Sequence, residues 1–340
     1  MLANTLARIS GKYGAPRNMK TLSVVSPCYN EEDNLEMFFE AIEDLRNWCK
    51  QRDIDLEVII VDDGSTDDSR HMIEKYCAKA KWVKAVFNAR NVGVFRTSYH
   101  GLKYATGEWV VPMFPVDLQD PPDVLKQLVV TKETTNATAV MGRKVGREEL
   151  PLTAALRKLF YVILSNVSSH KIEKNAGEFG VLDCWIVDEC IRRDDYYPFI
   201  RGIIANVTDD IIKVDYVWKR RAAGSSKHNF LLMYDHAING LISTGRSFIR
   251  PIIVLGFVVG ISSFLFAITN LTLWIFAPGS FGLSGLPTLI VGLFFLTGVI
   301  LMVLGLLGEY IYAVHAQVRG ADRVIHSKLI NIDPKEESAA

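Results

Sequence analysis

Over the first hundred or so residues the chain alternates short apolar runs with amphipathic stretches. Residues 21–26 (TLSVVS) form a β-branched run, followed by the polar PCYNEEDN. Leu35, Phe38, Phe39, Ile42, Leu45 and Trp48 then recur at the spacing of one helix face. The pattern repeats with residues 56–61 (LEVIIV), the loop DDGSTDDS and a helix through Met72, Ile73 and Tyr76. It repeats again with residues 83–87, the loop NARNVG and a helix to about Ala105, before a fourth strand begins at residues 109–111. Strands alternating with helices of this length predict an α/β domain with a parallel, doubly wound sheet. In such sheets ligands bind outside the carboxyl ends of the strands, where PCYNEE, DDGSTDD, NARNVG and DLQDPP all fall.

The C-terminal part has a different pattern. Residues 251–308 contain no Asp, Glu, Lys, Arg or His, although 22% of the chain is charged. About 20 apolar residues cross a bilayer, and a Gly, Pro and Ser cluster at 277–287 divides the run, so it predicts two transmembrane helices, 251–276 and 287–312. Arg246 and Arg250 precede them, Arg319, Arg323 and Lys328 follow, and the connecting loop is uncharged. The positive-inside rule then places both termini and the α/β domain in the cytoplasm, making the protein an integral membrane protein with two spans. Phe230, Leu231, Tyr234, Ala237, Ile238, Leu241 and Ile242 share one helical face just before the first span, as in a helix lying in the interface. The expected organisation is a flexible segment at 1–20, the α/β domain at 21–228, the interfacial helix at 229–247, the two spans at 248–314 and a cytoplasmic tail at 315–340. Gly256 with Gly260, and Gly305 with Gly308, permit close helix packing, within one chain or in a homo-oligomer.

Equal counts of Lys+Arg and Asp+Glu, 38 each, give no electrostatic bias toward nucleic acid. Cys28, Cys49, Cys77, Cys184 and Cys190 show neither metal-ligand spacing nor an even framework and are expected to be reduced. There is no GxGxxG, which argues against a dinucleotide site. MFPVDLQDPP (113–122) delivers Asp117, Gln119 and Asp120 just beyond a strand end. Such a sparse cluster of oxygen ligands suits Mg²⁺ or Mn²⁺ carried by a nucleotide diphosphate, and DPP reads equally as a helix start with Asp120 as cap and Pro121 first in the helix. Asp62 and Asp63 are candidates to accept from a base N–H or a ribose hydroxyl, while Ser65 to Asp68 read as caps of the following helix.

These residues together carry a resemblance. PCYNEEDNL, VDDGSTDDS, NVG with TGEWVV downstream, DLQDPP, FIRG (199–202), RAAGSSK (221–227), two C-terminal spans and GEYIY (308–312) resemble family 2 glycosyltransferases of the GT-A fold. Among them the similarity is to the membrane-anchored polyprenyl-phosphate glycosyltransferases, relatives of dolichol-phosphate mannose synthase and the bactoprenol glucosyltransferases. The resemblance implies inverting transfer of a sugar from a nucleotide diphosphate sugar to a polyprenyl phosphate at the lipid bilayer. Pro27, Tyr29, Glu31, Asp62 and Asp63 fall where the family holds the nucleoside, and Asp117 with Gln119 where it holds metal and diphosphate. Arg221, Ser226 and Lys227 match an R-x-x-G-x-S-K element that orders over phosphate. Glu178 stands where the family commonly has an Asp acting on the acceptor, and Pro115 stands where it usually has the first Asp of DADLQ. Two alternatives stay open at this level. One is a processive polysaccharide synthase, which would carry Q-x-x-R-W and more spans; the other is a membrane-tethered nucleotide-sugar binding subunit without turnover, which the loss of a carboxylate at Pro115 would permit.

Overall fold

The computed structural model describes residues 19–145, 176–193, 199–217, 285–319 and 324–332, with isolated positions between 256 and 276. The strands are β1 (Lys20–Cys28), β2 (Ile54–Asp62), β3 (Val83–Asn88), β4 (Trp109–Val111), β5 (Ala139–Val145), β6 (Ala176–Asp183), β7 (Ile211–Val217) and β8 (His326–Ile330). They form one eight-stranded sheet in the order β7-β5-β6-β4-β1-β2-β3-β8. The helices are α1 (Glu32–Lys50), α2 (Ser69–Lys79), α3 (Val94–Leu102), α4 (Pro122–Thr135), α5 (Cys184–Arg193), α6 (Ile200–Val207) and α7 (Gly285–Arg319).

The strand–helix alternation predicted through residue 111 is present. β1 lies between β2 and β4, parallel to both, and β2 continues in parallel to β3. Their near-continuous burial follows from helices covering both faces. On one face Leu22, Val24, Val58 and Ile60 pack with Leu35, Phe38 and Ile42 of α1, Ile73 of α2 and Leu125 of α4. On the other, Val25, Ile59 and Val61 pack with Tyr99 and Leu102 of α3, Ile186 of α5 and Ile203 of α6. All five cysteines are buried and none forms a disulfide, as expected.

The sheet departs from a wholly parallel one in two places. β6 inserts antiparallel between β4 and β5, while β7 adds parallel to β5. β8 pairs antiparallel with β3, so part of the segment expected as a cytoplasmic tail closes an edge of the sheet instead. Its five residues, HSKLI, are too few and too polar to declare a strand, and their pairing depends on an edge more than two hundred residues upstream.

Among the described residues, one helix is long and apolar enough to cross a membrane: α7, with its apolar stretch at Phe295–Tyr312. It contains the second expected span, and Leu293, Phe295, Leu301, Leu304 and Ile311 stand exposed along it. Within the first expected span the described positions are helical, and Thr269 and Thr272 donate to the carbonyls of Leu265 and Ile268 one turn back. The expected interfacial helix at 229–247 and the segment 1–18 lie outside the described residues.

α3 lies close against β1 and β2 because it carries Gly101 at the crossing. A Cβ there would come 2.6 Å from both Val25 Cγ1 and Val61 Cγ2. We expect Gly101→Ala to destabilise the domain by about 1–3 kcal/mol through overpacking. The measurement is the thermal midpoint of the purified chain, and an unchanged Tm would contradict this packing.

Candidate active site

The loops after β1 and β2 are stitched together. The amides at the start of α1 lack intrahelical acceptors and find them on the neighbouring loop. Asn30 N–H donates to Ser65 Oγ (2.9 Å), Glu31 N–H to Ser69 Oγ (3.0 Å) and Glu32 N–H to Asp67 Oδ2 (3.2 Å). In return Thr66 N–H donates to Asn30 Oδ1 and Asp68 N–H to Glu32 Oε2, both at 2.8 Å. This corrects the reading of Ser65 to Asp68 as caps of the following helix. α2 has Asp68 at its N-cap with no side-chain cap bond, and only Asp67, accepting from Ser69 N–H at 3.1 Å, serves its own helix.

Asp62 and Asp63 sit at the end of β2, both buried. Asp62 Oδ2 pairs with Arg70 Nε at 2.9 Å, and both its oxygens accept from Ser65 N–H at 3.3 Å. Burial pushes its pKa up, opposed by the hydrogen bonds from Ser65 and the charge of Arg70. Asp63 accepts from Val92 N–H and Gly93 N–H at 2.9 Å and from Asn88 Nδ2 at 3.1 Å. Asn88 Oδ1 meets His100 Nδ1 at 2.8 Å, and burial drives the His100 pKa down to about 3, helped by Lys103 and His326. Gly64 follows at φ +73°, and a Cβ on it would come within 2.9 Å of the Arg90–Asn91 backbone. These contacts fix the NARNVG loop against the end of β2.

Beyond β4 the chain is held to β1 by Phe114 N–H donating to Val25 O at 2.8 Å. The buried Phe114 ring packs between Phe38 and Phe179. Leu118 N–H donates to Pro115 O (3.2 Å), closing a turn in which Leu118 is held at φ +50°, a conformation costly for a residue with a Cβ. Asp117 lies in this turn, buried, and its Oδ1 accepts from Gln119 N–H at 3.2 Å. Pro115 therefore shapes the turn through its carbonyl while offering no side-chain ligand. Asp120 does not cap α4: Pro121 takes the N-cap position and the helix begins at Pro122. Asp120 Oδ1 instead accepts from Tyr216 Oη (2.5 Å) on β7 and pairs with Lys144 Nζ (3.1 Å) on β5.

Glu178 lies on β6, beside the Phe179 that packs on Phe114. The residue is 5% exposed, its carboxyl oxygens are fully buried, and neither oxygen has a hydrogen-bond partner among the described residues. Burial pushes its pKa up to about 7, against the pull of Arg201 and Lys144. A carboxyl poised there exchanges a proton at neutral pH.

The structure therefore brings Pro27, Tyr29, Glu31, Asp62, Asp63, Asp117 and Gln119 to the carboxyl ends of the adjacent strands β1, β2 and β4. Asp120 and Glu178 face the β5–β6–β7 side. Arg221, Ser226 and Lys227 lie outside the described residues. Sequence reasoning gave no role to Arg70, Asn88, Lys144, Arg201 or Tyr216. Arg201 stands within FIRG and could have been singled out; Lys144 and Tyr216 are visible only once β5 and β7 pair. Among the described residues no three His, Cys, Asp or Glu side chains converge as a metal cage. A lone buried carboxylate at a constrained turn fits a cation that takes its other ligands from substrate phosphates and water.

An α/β sheet with carboxylates at adjoining strand ends is the frame of a nucleotide-dependent transferase. Residues 23–196 match the Glycosyl transferase family 2 model, and the chain belongs to that family. The fold is accordingly GT-A-like. The SfII prophage-derived bactoprenol glucosyl transferase of Shigella flexneri is 29% identical over 310 residues, covering 90% of this chain and 97% of that one. A prophage bactoprenol glucosyl transferase homolog of Escherichia coli K12 is 27% identical over 305 residues, covering 89% and 97%. The undecaprenyl-phosphate 4-deoxy-4-formamido-L-arabinose transferase of Proteus mirabilis is 27% identical over 321 residues, covering 92% and 94%.

Glu178 makes a pH prediction. Its pKa is raised from 4.5 to about 7, so the folded protein binds more protons than the unfolded chain between those values, and stability falls as pH rises through that window. Glu178→Gln should remove this slope, raising stability at pH 8 by up to about 3 kcal/mol while changing little at pH 4. Thermal midpoints across pH 4 to 8 check it; parallel wild-type and variant curves would refute it.

Proposed function

We propose that the protein transfers a sugar, with inversion, from a nucleotide diphosphate sugar to a polyprenyl phosphate at the cytoplasmic face of a membrane. The observation that carries this reading is the group of buried carboxylates at the strand ends flanking β1, Asp62 and Asp63 at the end of β2 and Asp117 beyond β4, together with the buried Glu178 on β6. Similarity over nine-tenths of the chain to transferases named for bactoprenol and undecaprenyl phosphate supports the acceptor class.

In this reading Pro27, Tyr29, Glu31 and Asp62 hold the nucleoside, while Asp63 keeps the loop beside it in shape. Asp117 holds Mg²⁺ or Mn²⁺, with Gln119 behind it, and Arg221, Ser226 and Lys227 close over the diphosphate. Asp120, already engaged by Tyr216 and Lys144, braces the turn rather than binding the ion. Bound there, the divalent ion supplies charge stabilisation for the leaving diphosphate. An acceptor phosphate oxygen attacks the anomeric carbon as the bond to the donor phosphate breaks, and the electron pair leaves with the nucleoside diphosphate. A phosphate monoester has its second pKa near about 6, so the nucleophile needs no strong base. Protonated Glu178 then donates a hydrogen bond to that phosphate, with Lys144 and Arg201 balancing its charge.

The place where the chain returns supports two spans. β1 to β7 precede the apolar region and β8 follows it, yet all belong to one sheet. A chain that leaves this domain and rejoins it crosses a bilayer an even number of times, which supports a second span alongside α7. The six residues between α7 and β8 reach at most about 25 Å, keeping the sheet close to the membrane surface.

The first test is transfer of label into the organic phase from a panel of radiolabelled nucleotide sugars with polyprenyl phosphate and Mg²⁺ or Mn²⁺. One donor should give product, with turnover reduced about 100-fold or more in Asp117→Ala and abolished by EDTA. Nucleotide binding without label from any donor would favour a binding subunit over an enzyme.

Topology is tested separately. The native cysteines are buried and silent, so introduced thiols report cleanly. Ser280→Cys should react with a membrane-impermeant maleimide on intact cells and Ser338→Cys only after permeabilisation. The same compartment for both would sink the two-span arrangement.

A further inference from the structure

β8 does more than cover an edge. Its register on β3 pairs Phe87 with Lys328 and Asn88 with His326, leaving Ser327 as the extra residue of a bulge. Bulges re-aim a side chain out of the regular alternation. Here Ser327 Oγ donates to Phe87 O at 3.1 Å and accepts from Arg70 Nη2 at 3.2 Å. The same Arg70 nitrogen donates to Asn88 O at 3.2 Å, and Arg70 Nε holds the buried Asp62. The guanidinium is thus oriented from one side by β8 and from the other by the carboxylate it serves.

A second line runs to Asp63. His326 Nδ1 lies 3.2 Å from Tyr104 Oη, and its ring stacks over His100 with centroids 6.1 Å apart. His100 meets Asn88, and Asn88 donates to Asp63. The strand is anchored at its far end by Asn331, whose Nδ2 donates to the carbonyls of Val83 (2.8 Å) and Cys77 (2.9 Å). Its near end continues into α7 through six residues.

We propose that β8 is a positioning element of the donor site, setting Asp62 through Ser327 and Arg70 and Asp63 through His326, His100 and Asn88. Donor affinity then depends on a strand tied directly to the membrane helix. This rests on the reading of Asp62 and Asp63 as the nucleoside end of the site.

The test is calorimetric binding of uridine and guanosine diphosphates, each with Mg²⁺, to the full-length protein in detergent. For the nucleotide that the wild type binds, Ser327→Ala should raise Kd about three- to tenfold, the effect of losing one hydrogen bond to a charged group. KM for the donor should rise equally with kcat unchanged, and Ser327→Thr, which keeps the hydroxyl, should restore both. Lys328→Ala, on the same strand, removes only its exposed pair with Glu74 of α2 and should leave Kd unchanged. In an Asp62→Asn background, itself weaker in binding, Ser327→Ala should add nothing. A lowered Tm with unchanged Kd in Ser327→Ala, or an additive effect with Asp62→Asn, would overturn the proposal while leaving the donor site intact. An unchanged Kd in Asp62→Asn would overturn the donor-site reading, and the role of β8 with it.

Discussion

The organisation of the candidate site depends on one buried carboxylate, Asp63, accepting three hydrogen bonds from outside its own strand. Two come from consecutive backbone amides, Val92 and Gly93, and one from the Asn88 side chain. Rigid donors of this kind satisfy the acceptor sites of a buried carboxylate. They also tie the end of β2 to the end of β3 and to the start of α3. Gly64 completes the junction, since only a residue without a Cβ lets the β2 loop approach the Arg90–Asn91 backbone so closely. The neighbouring Asp62, the stitched loop after β1 and the seat of Arg70 all take their places from that junction.

The two sides of the cleft treat carboxylates in opposite ways. Asp62 and Asp63 are surrounded by donors and a guanidinium, an arrangement already solvated by the protein before any ligand arrives. Glu178 is equally buried but receives no hydrogen bond from the described residues, and it holds its proton to near neutrality. Phe114 and Phe179, stacked 5.9 Å apart, join the two sides through the turn that carries Asp117. Preorganised donors on one side and a desolvated acid on the other suit a reaction in which a diphosphate departs and a second phosphate arrives.

The sequence made the left half of this architecture legible because β1, β2 and β3 are buried on both faces and their helices keep a helical period. The candidate residues of PCYNEE, DDG and DLQ followed from strand ends and from family likeness. Features governed by long-range pairing were not legible. β6 is antiparallel because of its neighbours β4 and β5, which no local pattern encodes. Ser65, Thr66 and Ser69 are ordinary cap residues by composition, yet Ser65 and Ser69 accept from amides over thirty positions upstream, and Thr66 bonds the Asn30 side chain there. Lys144 acquires its significance from Asp120 and Glu178, and β8 from an edge at the other end of the chain.

The distance in sequence between β3 and its last partner also sets an order of assembly. The carbonyl of Phe87 receives the Ser327 hydroxyl from 240 residues later, after the whole apolar region has been made. A nascent chain on the ribosome has β1 to β7 available long before β8, with the β3 edge open and Arg70 lacking its Ser327 contact. Only when the apolar region and β8 have both been made can that edge close. The mature arrangement of the nucleotide loops is therefore reached last. A polypeptide that stalls or is cut short before β8 is left with an unpaired edge, the kind of surface that invites aggregation and removal by proteases rather than futile consumption of activated sugar.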